Sequence, residues 1–136
     1  MYDPYQHAHE LGITIIHTNP GPGLNGLYTG KHNGAPTIHL RPGLTTREER
    51  SVLAHELVHA EHDDQPTTDH AWSARRERRC DRIAAQRLIN RDHLLQLAVT
   101  YPDKGVWAIE LGVTGYLLDI YLTTWPITLS YTKHAA

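Results

Sequence analysis

Residues 54–62, AHELVHAEH, constrain the fold of this chain more than any other stretch. His55 and His59 stand four residues apart, and on an α-helix that spacing separates two side chains by about 40° of rotation and roughly 6 Å of rise. Both imidazoles therefore project from one helix face and can bind one metal ion. Glu56 lies beside the pair, where its carboxylate can reach a water at the ion without binding the ion itself. The stretch predicts a helix that carries a metal site.

The sequence on either side of this stretch predicts a larger helical part. Thr45 and Glu48 have the spacing of a capping box, so we expect the metal-binding helix to span about 45–62. A polar, proline-containing segment follows, and a second helix rich in alanine and arginine is expected at about 68–90. Two or three short helices should form a C-terminal helical part at about 91–125.

The first third of the sequence predicts a small sheet. Residues 13–17 (ITIIH) are rich in β-branched side chains, and strands are expected near 27–31 and at 37–40. The dipeptide Asn33-Gly34 between the last two favours a tight hairpin turn. We therefore expect an α+β fold in which a small antiparallel three-stranded sheet packs on the helical bundle.

Length and composition narrow the class of protein. At 136 residues the chain is expected to form one domain, residues 1–136, with the sheet at about 13–40. Hydrophobic residues at 40% and charged residues at 21% are typical of a globular protein, and a formal net charge of -2 gives no strong overall field for nucleic acid or anionic membranes. Cys80 is the only cysteine, which excludes an internal disulfide and favours a reducing compartment. With no secretion signal or membrane-spanning stretch apparent, the sequence predicts a cytoplasmic protein.

A third metal ligand is expected downstream of the histidines. The metzincin continuation requires Gly at position 62 and His at position 65, and the chain has His62 and Gln65, so that class is excluded. Glu77 fits better, because on the second helix it aligns with small and apolar residues that should face inward: Cys80, Ala84 and Leu88. A carboxylate on such a stripe needs a strong partner, which a metal would supply. His62, seven residues after His55, stays open as an alternative ligand.

Two neighbours of Glu77 have alternative roles. Asp81, one turn further along, is placed to accept a hydrogen bond from the free ring N–H of a ligand histidine. A surface ion pair with Arg78 or Arg82 is the alternative. Cys80 is expected to be a buried small residue, because nothing in the sequence pairs it with a base that would make it a nucleophile.

The segment HELVH, followed by ERRCDRIAAQRLI, resembles the ImmA/IrrE family of metallopeptidases over roughly residues 13–89. That family combines HExxH with a later Glu-x-x-Ala-Asn/Asp-x-Phe-Ala-Ala-x-Leu-Leu stretch. Here Glu77 stands at the third-ligand position and Asp81 at the Asn/Asp position, whereas Cys80 and Ile83 replace the usual Ala and Phe.

The resemblance implies a gluzincin-like minimal zincin that acts as a zinc-dependent endopeptidase. One Zn²⁺ would be held by His55, His59 and Glu77, with Glu56 as the catalytic base. The implied partner is a protein substrate, a helix-turn-helix repressor of a phage or mobile element in a bacterial host cell. Three alternatives stay open: a non-proteolytic anti-repressor with a structural metal, a DNA-binding module, and an exposed histidine pair without an ion.

Two further features bear on partners. Seven arginines between residues 75 and 91 oppose only Glu77 and Asp81, a run that is more often a solvated helix face than a phosphate-binding surface. Residues 108–124 resemble the second half of a helix-turn-helix, but Asp119 and the absence of Arg and Lys disfavour DNA reading. Core packing or a repressor-docking surface is expected there, with no direct nucleic-acid or membrane partner.

Several side chains can stabilise the oxyanion that develops during peptide hydrolysis. The candidates are Tyr28, Tyr101, Tyr116 and His39. If the strand at 37–40 forms the sheet edge above the metal, an extended substrate can add to it and His39 would line the cleft.

Overall fold

The computed structural model describes residues 1–30 and 34–128 of the chain. Within these ranges it contains six helices and three strands. In chain order they are α1 (Pro4–Glu10), β1 (Thr14–His17), β2 (Gly26–Thr29), β3 (Thr37–Leu40), α2 (Thr46–Glu61), α3 (His70–Leu88), α4 (Arg91–Thr100), α5 (Lys104–Leu111) and α6 (Gly115–Thr124). The α+β class expected from the sequence is confirmed, with the small sheet packed on helices.

The three strands form a mixed sheet in the order β1-β3-β2. β2 pairs antiparallel with β3, whereas β1 pairs parallel with β3. The expectation of an antiparallel sheet therefore needs correcting for β1. The loop 18–25 carries the chain past β3, so that β1 joins the far side of that strand, and no local pattern in a four-residue strand indicates which neighbour it will pair with. Residues 31–33, which include Asn33 of the predicted turn, lie outside the described residues.

Helix α2 lies between two hydrophobic clusters. Its capping box is present: the Thr45 side chain accepts from the Glu48 N–H at 3.2 Å, and Glu48 Oε1 accepts from the Thr45 N–H at 2.9 Å. Leu53 and Leu57 are fully buried against the sheet, while Ala54 packs among the C-terminal helices. Burial of each large aliphatic side chain contributes about 1.5–3 kcal/mol. The helix that carries the histidines is thus held from two sides.

Polar contacts fix the start of α6 against α2. Arg50 Nη1 donates to the carbonyl of Gly112 at 3.0 Å, at the end of α5, where Gly112 has a φ of 71°. Glycine adopts this left-handed conformation without strain. The Thr114 N–H, just before α6, donates to Ser51 Oγ at 3.2 Å. Because α6 also packs on α3, these contacts bring the C-terminal helices beside the histidines.

Within the described ranges, no single helix has the length and apolar composition of a membrane span. Helices α5 and α6, bent by 103° at their junction, meet those two criteria only as a pair.

Candidate metal centre

Helix α2 places its two histidines and the intervening glutamate beside α3. The rings of His55 and His59 lie on one helix face with centroids 5.1 Å apart, and both side chains are mostly buried. Glu56 is 8% exposed, and its Oε2 lies 3.9 Å from Nε2 of His55. The spacing within the motif therefore brings two imidazoles together with a buried carboxylate at their side.

Glu77 of α3 contacts both histidines. Its Oε2 lies 2.6 Å from Nε2 of His55, and its Oε1 lies 3.1 Å from Nε2 of His59. These hydrogen bonds hold the pKa of Glu77 well below its usual range. Its side chain is half exposed, so the expectation that it lies on a buried stripe needs correcting. Glu77 stands at the solvent end of that stripe, where the helix emerges from the core.

Asp81 lies against the other ring nitrogen of His55. Its Oδ1 is 2.8 Å from Nδ1 of His55, and its Oδ2 accepts a hydrogen bond from the Tyr116 hydroxyl at 2.6 Å. That hydrogen bond, together with burial, raises the pKa of Tyr116 to about 12. Among the described residues Asp81 makes no ion pair with Arg78 or Arg82. With Nδ1 engaged, Nε2 is the His55 nitrogen that faces Glu77.

His59 has an equivalent partner that sequence reasoning missed. Asp64 Oδ2 lies 2.8 Å from Nδ1 of His59 and is also bound by Arg79, while Arg76 Nη1 lies 3.8 Å from Asp64 Oδ1. Asp63, just after α2, adopts a left-handed φ of 46° and turns the chain back towards the histidine. An acidic residue shortly after the helix end was the available signal. Its role depends on that turn and on the arginines of the next helix.

The groups around the histidines raise the pKa of both imidazoles. Burial alone would lower the pKa of His55, but Asp81 and Glu77 outweigh it and raise the value to about 10. At His59 burial is outweighed by Cys80 and Glu77, and the pKa rises to about 11. The chain by itself therefore holds cationic imidazoles against Glu77 at neutral pH.

Cys80 lies closer to the histidines than the sequence indicated. It is fully buried, as expected for a small core residue. Its Sγ and one nitrogen of each of His55 and His59 lie within 4.8 Å of one another. Because thiolate sulfur is a zinc ligand, two histidines and a cysteine form a second possible donor set beside two histidines and a glutamate.

Glu56 is confined between its own helix and the sheet. A Cβ atom on Gly26 of β2 would lie 2.5 Å from Val52 Cγ1 and 3.0 Å from Glu56 Cγ, so this close approach requires glycine. Burial raises the pKa of Glu56, against the opposing effect of His55 and His59. A carboxyl group with a raised pKa is suited to accept and return a proton near neutral pH.

Two clefts meet at Glu56. The larger, of about 340 Å³, is lined by His55 and Tyr116 among others. The smaller, of about 200 Å³, lies on the other side and is lined by His59 and Tyr28. Glu56 lines both, and β2 contributes residues to each. An elongated ligand can therefore pass over the carboxylate along this strand.

The strand that borders the clefts is β2 rather than β3. Because β3 is the central strand, the expectation that His39 would line a cleft at the sheet edge needs correcting. His39 lies on the outer face of the sheet and lines neither cleft. Tyr101 lines neither cleft, whereas Tyr28 and Tyr116 each line one and donate their hydroxyls to aspartates at 2.6 Å.

The donor chemistry fits a divalent cation, and zinc in particular. Two imidazole nitrogens and a carboxylate oxygen converge, and a carboxylate engages the second nitrogen of each imidazole, as is typical of zinc-binding histidines. His62, the alternative ligand, is exposed, and its Nδ1 lies 2.9 Å from the Val58 carbonyl of its own helix. The structure brings the predicted residues together, while their roles as ligands stay predictions.

Comparison with known proteins identifies the family. The model of peptidase family M78, described as the IrrE N-terminal-like domain, matches residues 8–119. The matched range contains the sheet, α2 and α3, and it supports a metallopeptidase type of function in general terms. No curated protein and no solved structure matches the chain significantly. The family resemblance that the sequence motifs indicated is confirmed, and the chain belongs to the M78 peptidases with an IrrE N-terminal-like domain.

Proposed function

We propose that the protein is a zinc-dependent endopeptidase whose active site lies between α2 and α3. The observation that supports this most directly is the convergence of the Glu77 oxygens on Nε2 of His55 and His59. Glu56 stands beside these groups, buried and yet lining both clefts. His55, His59 and Glu77 would hold one Zn²⁺, with Cys80 as the competing third donor.

The chain's own groups have distinct tasks in this proposal. Zinc at these donors would supply Lewis acidity towards water and towards a peptide carbonyl. Asp81 and Asp64 accept the Nδ1–H of the histidines and so leave each Nε2 as a ligand. Glu56 accepts a proton from the attacking water at its carboxylate and delivers it to the departing amide nitrogen.

The edge strand β2 supports binding of an extended peptide. Within the part of the chain that the structure describes it pairs with β3 alone, so its other edge offers backbone N–H and carbonyl groups to a substrate strand. Gly26 brings this strand against Glu56, so a peptide paired with it would lie near the proton-transfer group. Strand addition is therefore proposed at β2 and no longer at β3.

The proposed substrate is a helix-turn-helix repressor of a phage or mobile element, in the cytoplasm of a bacterial host. Support comes from the resemblance to ImmA/IrrE peptidases, which implies such a substrate, and from a composition with a single cysteine, which favours a reducing compartment. We also propose that residues 1–136 act as a single metallopeptidase domain.

The variant Glu56→Gln tests the proposal. Glutamine retains the size of the side chain and leaves the three metal donors in place, but it cannot accept the proton. We expect cleavage of a helix-turn-helix repressor substrate to fall by about 10²–10⁴-fold, with zinc content unchanged. Glu110→Gln is the matched control, because Glu110 is exposed on α5 and lines neither cleft. Gel electrophoresis and mass spectrometry report the fragments, and elemental analysis reports the zinc.

Two outcomes would change this assignment. An E56Q protein that cleaves at the wild-type rate would refute the role of Glu56. If neither protein cleaves the repressor and both relieve repression equally, the protein is a non-proteolytic anti-repressor in which the metal has a structural role.

A further inference from the structure

Most arginines on and just after α3 have a partner. The pairs are Arg75 over the Trp72 ring, Arg76 and Arg79 with Asp64, Arg87 with Glu61, and Arg91 with the carbonyls of Trp125 and Pro126. Arg78 and Arg82 differ: both are exposed, and neither has a carboxylate within ion-pair distance among the residues that the structure describes. Two uncompensated guanidinium groups therefore lie about one helical turn apart on one helix face.

Arg78 and Arg82 line a groove of about 380 Å³ between α3 and α6. Ile120 and two threonines supply much of the opposite wall, which combines apolar groups with hydroxyls. Asp119 also lines the groove, but its carboxylate is paired with Lys104 at 3.3 Å. The groove thus combines an apolar wall with two cations that have no counterion among the described residues.

The groove adjoins the larger cleft of the proposed active site. Tyr116 lines the groove on one side and the larger cleft at Glu56 on the other. Arg78 and Arg82 therefore lie one side chain away from the cleft that would bind the substrate.

We propose that this groove binds an acidic, partly apolar segment of the polypeptide substrate, an inference that rests on the proposed peptidase function. Carboxylates of the segment bind Arg78 and Arg82, whose planar guanidinium groups suit bidentate contacts, and its apolar side chains pack on Ile120. Nucleic acid matches the groove less well, because duplex binding relies on many phosphate contacts and the groove offers two cations.

The test is direct binding to a fluorescein-labelled peptide in which glutamates alternate with leucines, compared with its glutamine counterpart. Both are titrated into the Glu56→Gln protein, which prevents cleavage, and fluorescence anisotropy is recorded. We expect the glutamate peptide to bind about tenfold more tightly, and the double variant Arg78→Glu with Arg82→Glu to lose at least about tenfold. Arg78→Gln with Arg82→Gln should give an intermediate loss. Arg75→Glu, a single charge reversal outside the groove to be compared with Arg78→Glu alone, should change affinity less than about twofold.

Specific results would overturn the groove assignment. These are equal affinity for the two peptides, unchanged binding in the double variant, or an equal loss in Arg75→Glu. A DNA duplex that binds through Arg78 and Arg82 while the acidic peptide does not would replace the proposal with a nucleic-acid site. Because binding needs no cleavage, a failed peptidase test leaves this result intact. If the wild-type protein cleaves the repressor and the double variant binds the acidic peptide as tightly as before, the peptidase function stands and the groove assignment is refuted.

Discussion

His55 and His59 are held in the same way by groups of different chemistry. Each Nδ1 lies 2.8 Å from an aspartate oxygen, but the aspartates differ in what supports them. The first set, which we call the His55 arm, consists of His55, Asp81 and Tyr116. The second, the His59 arm, consists of His59, Asp64 and Arg79. A neutral hydroxyl supports the aspartate of the first arm, and a guanidinium group supports that of the second.

The two arms also draw on different parts of the fold. The His59 arm joins α3 to the loop after α2, and the hydrogen bond from His59 together with the charge of Arg79 lowers the pKa of Asp64 despite the opposing effect of burial. The His55 arm depends on α6, from which Tyr116 reaches Asp81. One arm therefore couples the metal site to a local ion pair and the other to the docking of a C-terminal helix.

The largest effect is expected at Glu77, which touches both arms. Glu77→Ala removes the group between the two Nε2 atoms, so zinc affinity should fall by more than about 100-fold, beyond the usual effect of an indirect partner. Cys80→Ala should change affinity by less than about threefold if Glu77 is the third ligand. Competition with a chelator measures both. The reverse ranking would assign the third position to Cys80.

Asparagine variants compare the arms directly. Asp64→Asn and Asp81→Asn should each lower zinc affinity by about 10–100-fold, because each would loosen a histidine that we propose as a ligand. Asp64→Asn should also lower the free energy of unfolding by about 2 kcal/mol, since it leaves the charge of Arg79 without its partner. Both aspartates also face a histidine whose pKa is raised, but among the described residues only Asp64 has a guanidinium partner as well, so the Asp81 variant should lose less. Urea denaturation of the metal-free proteins tests the ranking, and equal losses would contradict it.

Proton release on zinc binding gives a second comparison. The pKa values of both histidines lie above the ordinary value of 6.5, so the stabilisation from their partners is fully present below pH 6.5 and is lost as the pH rises through about 10 to 11. At about pH 8 zinc must displace about one proton from each ring. Asp81→Asn should reduce that release more than Asp64→Asn does. Asp81 contributes most to raising the pKa of His55, whereas at His59 Cys80 and Glu77 raise the pKa more than Asp64 does. Calorimetry in buffers of different ionisation enthalpy measures the release, and equal changes would contradict the comparison.

The smallest effect is expected from Tyr116→Phe. It removes the hydroxyl that donates to Asp81 but retains the ring, so the free energy of unfolding should fall by about 0.5–1.5 kcal/mol. Zinc affinity should fall less than in Asp81→Asn, because the carboxylate itself remains against His55. Chelator competition and thermal unfolding measure the two quantities. A loss of affinity as large as that of Asp81→Asn would show that the Tyr116 hydroxyl is essential for holding Asp81 against His55.

Local patterns predicted the helical part of the site and failed at the sheet edge. The capping box at Thr45 and the stripe on α3 depend on contacts within one or two helical turns, so the sequence places His55 and Glu77 on facing helices. The pairing partner of β1 and the edge position of β2 depend on residues far apart in the chain. For that reason His39 was expected at the cleft, where β2 lies instead.

The sequence by itself determined α2, its start at the Thr45 cap and the common face of His55 and His59, because helical geometry relates residues four apart. It also placed Glu77 and Asp81 one turn apart on the next helix. Only the tertiary structure decided that Asp64 returns to His59, that Tyr116 reaches Asp81, and that Arg78 and Arg82 have no carboxylate partner within residues 1–30 and 34–128. Each of these depends on a turn or a helix docking whose energy comes from packing between distant segments, which no local pattern records.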